Sequence, residues 1–325
     1  MLIFKNLVWG LIYLFATMYG NCIAQEKPYP NKNIRLVVPY PPGGSTDNLA
    51  RVIAARWAEN LKQSVVIDNR GGAGGNIGVE VVAKAAGDGY TVGLFDTAFA
   101  VNPSLYKKLP FDTLKDFDSI MFVAVGPAVL VVNPSFGVTS MKELISKVQA
   151  QPGKFAYASA GSGTAIHLAG EMLKSSQRLQ LTHVPYKGAG PAIADVVAGH
   201  VPMMFAQPGT VLGLIQQGKL LALGMTGDRR WQGMPRVPTF SESGFSGMES
   251  SSSWHVMVPS GTPRAVINFL STSLKKTLAM DEIRDKLSDM AYLTVGADPE
   301  HSYELLKLEI DRWSSAVKAS GASVD

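Results

Sequence analysis

Ile34-Arg-Leu-Val-Val-Pro-Tyr-Pro-Pro-Gly-Gly-Ser-Thr-Asp-Asn48 begins as a strand, stiffens at its prolines, passes a glycine pair and starts a helix. Leu36, Val37 and Val38 form the short apolar run expected of a strand buried on both faces. Pro39, Pro41 and Pro42 cannot continue it. Gly43 and Gly44 permit positive φ and let backbone come close to a ligand. Thr46 or Asp47 is placed to cap a helix whose apolar face runs through Leu49, Ala50, Ile53, Ala54, Trp57 and Leu61. A helix N-terminus behind a glycine loop gathers unpaired N–H groups and positive dipole, so it favours an anion. The same turn also suits a plain strand-to-helix connection, and one loop does not separate the two readings.

The device recurs along the chain. Val65 to Asp68 reads as a second strand, followed by the glycine-rich loop 69–76 and a helix bearing Val79, Val82, Ala83 and Ala86. Thr91 to Phe95 reads as a third strand, and Asn102 to Asp118 as irregular, with turn signals at Asn102-Pro103 and Leu109-Pro110. Apolar runs at Ile120–Val125 and Val129–Val132 flank Gly126-Pro127. Ser140-Met-Lys-Glu143 has capping-box spacing and opens a helix to about Ala150. Strands at Phe155–Ser159, Leu181–Val184, Met203–Ala206 and Leu221–Thr226 alternate with helices. Ser253–Val258 reads as a return strand, and helices follow from Thr262-Pro263, over 282–290 and over 299–318. Such alternation predicts parallel sheets with helices on both faces.

Residues 1–24 stand apart. Lys5 is followed by an uncharged, mostly apolar core from Leu7 to Tyr19, and Cys22-Ile-Ala24 ends in small residues. That is the pattern of a secretory signal peptide cleaved after Ala24, which implies a periplasmic protein. An uncleaved anchor is disfavoured by Gly10, Gly20 and Asn21, and a lipid on Cys22 by the preceding Asn21. Cleavage removes the only cysteine, so the mature protein has no disulfide and relies on its core. The 325 residues less 24 leave 301, enough for a large core and for two domains. Without Lys5, 29 basic residues face 26 acidic ones, a net charge of +3. These charges form no basic run, which argues against nucleic acid, while a mildly basic protein suits an anionic small molecule.

Four glycine-bearing loops therefore follow predicted strands: 41–47, 69–76, 160–164 and 186–190. In open α/β sheets, ligands bind beyond the carboxyl ends of strands, so four such loops can converge on one cleft. Val38-Pro39-Tyr40 and Val184-Pro185-Tyr186 share a tripeptide before their glycines, which fits two similar halves facing each other. Nucleotide motifs fail on spacing: a third glycine would be needed at Ile77, Ile166 or Ile193. No phosphate-loop Lys-Ser or Lys-Thr follows a glycine loop, so no nucleotide cofactor is expected. Ser162 lacks the glycine two residues earlier that a nucleophile elbow requires. His167 and Glu171 sit four apart on a helix but have no third ligand partner, so they point to helix packing before a metal. Asp96, at a strand end, could reach the cleft, whereas Asp195 is expected in solvent.

Several strings together resemble one family. They are Tyr29-Pro30 with Ile34–Pro39, Gly43-Gly44 and Asp47; Asn69-Arg70 with Gly72–Gly78; Asp88-Gly-Tyr-Thr91; and Asn102-Pro-Ser-Leu-Tyr106. Ala158–Thr164, His167–Glu171 and Val184–Gly188 complete the set. In this order they closely resemble the substrate-binding proteins of tripartite tricarboxylate transporters, the Bug receptors, from about Tyr29 to the C-terminal helix. The resemblance implies a monomeric periplasmic solute receptor with two α/β domains of the periplasmic-binding-protein type II fold around a central cleft. The apolar runs at 120–131 and 251–258 would then be crossing strands. One domain would comprise 25–124 plus 252–325, and the other 125–251. Such receptors mostly hold carboxylates through backbone N–H groups, hydroxyls and water, without an arginine clamp, and deliver them to membrane permease subunits.

On that resemblance one jaw comprises Tyr40, Gly43, Gly44, Thr46, Asp47, Gly74, Gly75 and Asn76, with Asp96, Thr97 and Ala98 at a neighbouring strand end. The other comprises Ser159, Gly161, Ser162, Gly163, Thr164, His167, Pro185, Tyr186, Lys187 and Gly188. Thr164 is expected to contact a carboxylate directly, with Ser159 and Ser162 as further hydroxyls. Two positions depart from the family pattern. Gly71 replaces a usual proline, and Phe95-Asp-Thr-Ala98 stands where small or neutral polar residues are usual. If Asp96 faces the cleft it disfavours a simple polycarboxylate and prefers a cationic or hydrogen-bond-donating group. If not, it caps its own loop. The expected protein is non-catalytic; an exported hydrolase on the same scaffold, or a receptor for a membrane signalling protein, are the alternatives.

Overall fold

The computed structural model describes residues 28–248, 250–320 and 324. The chain divides into two compact units, 1–31 and 32–325, and the second contains every strand and helix named below. The leader, its cleavage site and Cys22 lie outside the described residues.

In chain order the elements are β1 (Ile34–Val38), α1 (Ser45–Leu61), β2 (Val65–Asn69), α2 (Asn76–Ala83), β3 (Thr91–Asp96), α3 (Ala98–Leu105) and β4 (Phe117–Pro127). Then come β5 (Val129–Val132), α4 (Met141–Gln149), β6 (Phe155–Ser159), α5 (Ala165–Gln177), β7 (Leu181–Pro185), α6 (Ala189–Ala198) and β8 (Met203–Ala206). The chain ends with α7 (Pro208–Gln216), β9 (Leu221–Met225), β10 (Ser251–Pro259), α8 (Arg264–Leu278), α9 (Asp281–Asp289), β11 (Leu293–Ala297) and α10 (Pro299–Ser320).

These strands make two sheets, one per lobe: β11-β4-β10-β3-β1-β2 and β7-β6-β8-β5-β9. The fold is two-domain α/β. The sheets are mixed, not parallel as the alternation suggested. β1 runs parallel to β2 and β3, and β6 parallel to β7 and β8. β10 runs antiparallel to both β3 and β4, and β5 antiparallel to both β8 and β9. The reversal follows from the connections between lobes. β4 leaves the first sheet and, one residue on, β5 enters the second, while β10 comes back into the first beside β4. A strand that enters from the far end of a sheet must run against its neighbours.

The lobe-to-lobe passage is pinned at Thr226, which is fully buried. Its hydroxyl accepts from the Ala128 amide at 2.8 Å and donates to the Ser250 carbonyl. Its own amide donates to the Ala128 carbonyl at 2.8 Å. One threonine thus ties both crossings together.

Local chemistry explains most element ends. Ser140 caps α4 by accepting from the Glu143 amide, and Glu143 reaches back to the Thr139 amide at 2.7 Å. At α1 the cap is Gly44, in extended backbone, and not Thr46 or Asp47, both of which lie within the first turn. The Asp47 carboxylate instead folds back onto the Gly43 amide at 2.9 Å. α3 occupies part of the stretch that looked irregular. Its Pro103 lacks the N–H that would bond the Phe99 carbonyl, and the Thr113 hydroxyl reaches that carbonyl at 3.5 Å. α3 is also wedged among aromatics: Phe99 meets Phe117 edge-on at 5.1 Å, and Phe95 meets Phe117 at 5.7 Å. Burial of its Ala98–Asn102 face on every side erases the amphipathic signal by which helices are read.

Candidate functional site

The carboxyl ends of β1, β3, β6 and β8 point toward the seam between the lobes, and a cavity lies there. It is lined by Tyr40, Gly44, Ser45, Thr46, Asp96, Ala160, Thr164, Ala165, Ile166, Ala189, Gln207 and Ser252. It encloses about 370 Å³, counting the part open to solvent. The space inside that the centre of a water molecule can reach is only about 20 Å³, room for little more than one water. Among the described residues no lysine, arginine or histidine lines it.

Four helices begin at its wall: α1 at Ser45, α5 at Ala165, α6 at Ala189, and α7 just after Gln207. The amides of Ser45, Thr46, Ala165 and Ile166 have no carbonyl one turn back to bond. These helix starts come from both lobes and turn partial positive charge toward one small space. A fifth helix, α3, begins next to it, but its first amide is taken: Ala98 donates to Asp96 Oδ1 at 3.2 Å.

Asp96 carries the one carboxyl group in the lining. Its Oδ1 also accepts from the Tyr40 hydroxyl at 2.8 Å. Burial pushes its carboxyl up to about 6, against the lowering effect of those bonds. Burial, and next the Asp96 charge, likewise raise the Tyr40 phenol. Asp96 therefore both faces the cavity and caps its own loop.

The other expected residues divide by position. Tyr40, Gly44, Thr46, Asp96 and Thr164 line the cavity. Asp47 does not; it is buried and takes bonds from Arg51, the Gly43 amide and Asn69. Burial would raise its carboxyl, but those bonds outweigh burial and hold it below the usual range. Its role is to lock loop 41–47. Asn76 accepts from Asn102 at 2.6 Å, Thr97 accepts from the Ser253 amide at 2.8 Å, and both are buried away from the lining. Pro185 and Lys187 are exposed. The Tyr186 hydroxyl turns aside to Asp195, which also pairs with His200.

The hydroxyl roles expected in the second lobe need correction. Thr164 lines the cavity, but its one hydroxyl proton goes to the Gly161 carbonyl at 2.8 Å and its oxygen caps the His167 amide at 3.3 Å. It has no proton left for a carboxylate. Ser159 is fully buried and shares a 2.6 Å bond with His183 Nε2. His183 stacks on His167 at 4.0 Å, and His167 Nδ1 accepts from the Gly163 amide. Burial first holds both imidazoles neutral, near 4 for His167 and near 3 for His183. Glu171 takes the Tyr157 hydroxyl and Lys174. This network stiffens loop 160–164 from behind, with His167 Nδ1 and both Glu171 oxygens engaged by protein groups.

The glycines serve a purpose their spacing did not suggest. A Cβ on Gly74 would lie 2.3 Å from the Ser162 carbonyl oxygen across the seam. Gly161 sits against Gly74, and a Cβ on Gly163 would meet Asn102 of the first lobe at 2.1 Å. A Cβ on Gly188 would meet Pro41 at 3.0 Å. Gly74, Gly161, Gly163 and Gly188 are thus the lips where the lobes touch, and Gly75 packs behind them on the Tyr40 ring. Ser45, Ala160 and Ala189 lie within the predicted glycine loops but were not singled out, and sequence reasoning missed Ala165, Ile166, Gln207 and Ser252. Gln207 donates to Ser252 across the cavity floor. The four helix starts were legible; Gln207 and Ser252 carry no local signal.

Two lobes, two crossings and a ringed cavity define a solute-binding receptor of the periplasmic binding-protein class. Residues 49–322 match the family described as "Tripartite tricarboxylate transporter family receptor". The chain is 35% identical to Protein BugT of Bordetella pertussis over 298 residues, 91% of each chain. It superposes on the periplasmic binding protein BugD with a TM-score of 0.87 and 34% identity, over 91% of this chain and 99% of that one. A second solved structure, R. palustris Rpa4515 with adipate, gives 0.88 and 34% over the same shares. The chain belongs to the tripartite tricarboxylate transporter receptor family.

Proposed function

We propose that the chain is a non-catalytic periplasmic receptor whose lobes close on one small carboxylate and present it to the membrane permease of a tripartite transporter. The observation that carries this reading is the convergence of four helix N-termini, from both lobes, on a cavity without a lysine or arginine. Such a site binds an anion through fixed amide dipoles, and the anion itself draws the lobes together because only the closed form offers both sets of amides. The adipate held by a relative of 34% identity supports the choice of a carboxylate. The working division is 25–124 plus 252–325 for one domain and 125–251 for the other, with Thr226 at the passage between them.

The test is a thermal-shift screen of organic acids against neutral solutes of matched size. An acid present at 100 times its dissociation constant should stabilise the protein by about 2.7 kcal/mol. A shift from neutral solutes and none from acids would overturn the reading. Prolonged incubation with the bound acid should return it unchanged, since Ser159 of the Ser159–His183 pair is buried behind the loop and neither residue lines the cavity.

A further inference from the structure

The cavity is built for an anion, yet it contains a carboxylate of its own. Asp96 Oδ1 is occupied by the Tyr40 hydroxyl and the Ala98 amide. Among the described residues no side chain donates to Oδ2. The titratable groups around it are Tyr40 at the end of β1, Tyr292 ahead of β11 and His255 on β10. His255 is bound to Glu309 of α10 through Nε2 at 2.8 Å, and no lysine or arginine lines the cavity. A carboxylate in a narrow space without a cation needs its counter-charge or its donor from the occupant.

Resting on the receptor reading above, we propose that Asp96 is the specificity-determining residue: its Oδ2 receives a hydrogen-bond donor, an ammonium or hydroxyl, carried on the carbon chain of the bound carboxylate. The solute's carboxylate occupies the amides of Ser45, Thr46, Ala165 and Ile166, and its donor turns to the β3 end. A plain dicarboxylate lacks that donor and would leave Oδ2 unpaired beside its own second carboxylate.

The experiment compares plain, hydroxy and amino acids of equal chain length (succinate, malate and aspartate; adipate and 2-aminoadipate) by calorimetric titration at pH 7.5. The wild type should bind the donor-bearing member of a series about tenfold or more tightly than the plain one, a preference set by one charge-assisted bond. In Asp96→Asn, which keeps the acceptor for Tyr40 and Ala98 and removes the charge, that ratio should fall at least tenfold. Because burial raises the Asp96 carboxyl to about 6, the wild-type ratio should also shrink between pH 7.5 and pH 5, where Asp96 takes up a proton. This second measurement needs no variant, so a poorly folded Asp96→Asn leaves the idea testable, and the flat pH profile expected of Asp96→Ser serves as its control. Tight binding of the plain acids with an unchanged ratio in Asp96→Asn would overturn the role of Asp96 and leave the receptor reading standing. Failure of every acid to bind would overturn both.

Discussion

Gly74→Ala is the substitution that separates the folded state from the closed state. Gly74 has φ 60° and ψ 26°, a left-handed conformation that alanine adopts at a cost of about 1–2 kcal/mol. That cost is the same whether the lobes are open or closed. The contact is not: the new Cβ would lie 2.3 Å from the Ser162 carbonyl oxygen, against an ordinary contact of 3.4 Å or more. The 1.1 Å shortfall involves backbone on the opposite lip and is relieved by parting the lobes, whereas the Tyr106 hydroxyl, 2.9 Å away, is the end of a side chain in the same lobe. Even a partial loss of the closed state, about 1.4–2.8 kcal/mol, weakens solute binding roughly 10- to 100-fold. Gly43→Ala is the control, since Gly43 also has positive φ (+89°) but nothing within 4 Å of its Cβ position. In urea without solute Gly74→Ala should lose at least as much stability as Gly43→Ala, since its Cβ must also displace the Tyr106 hydroxyl. Only Gly74→Ala should lose affinity by calorimetry and fail to contract on solute addition in small-angle scattering. Equal affinity and equal contraction in the two variants would refute the lip contact.

Three further outcomes follow from the structure. Thr226→Val should destabilise the protein by about 1–3 kcal/mol in urea denaturation, because it leaves the Ala128 amide and the Ser250 carbonyl without their shared hydroxyl; an unchanged midpoint would remove Thr226 from the passage between lobes. Asp96→Asn should stabilise the solute-free protein at pH 7 by up to about 3 kcal/mol. A carboxyl raised from 3.8 to about 6 stabilises the fold most below pH 3.8 and loses that contribution as pH rises through 6, so the advantage of the variant should vanish by about pH 4. His183→Gln should flatten the acid side of the stability profile. His167 and His183 are depressed to about 4 and 3 from 6.5, so the stability they hold is complete above pH 6.5 and lost as pH falls toward 4 and 3. Urea midpoints at pH 7 and pH 5 in wild type and variant check this, and parallel losses in the two would count against it.

The strand ends, the glycine loops and the helix starts behind them were legible, because each rests on local chemistry: an apolar run, a proline stop, a residue free to take positive φ. The cavity's four helix N-termini follow from those units alone. What was not legible depends on partners remote in sequence. Gly74 and Ser162 are 88 positions apart, and only the closed seam shows that Gly74 makes room for a carbonyl. Thr164 and Ser159 look like free hydroxyls in sequence, yet the loop and His183 take both. Gln207, Ser252 and Thr226 meet only after the chain has crossed between lobes twice. The antiparallel placement of β10 and β5 has the same origin, since strand direction within a sheet is set by the route of the chain and not by the strand's own residues. β11, with Leu293 57% exposed at a sheet edge, shows no alternation to read.

The central claim is that amide dipoles at helix starts, and not side-chain cations, hold a carboxylate between the lobes. Titration calorimetry of the tightest-binding acid and of its primary amide, at low and high salt, tests it most directly. The acid should bind one per chain with little salt dependence, since no mobile surface cation takes part. The amide should bind about 100-fold more weakly, having lost the charge that the converging amides favour. Equal affinity for acid and amide would contradict the claim.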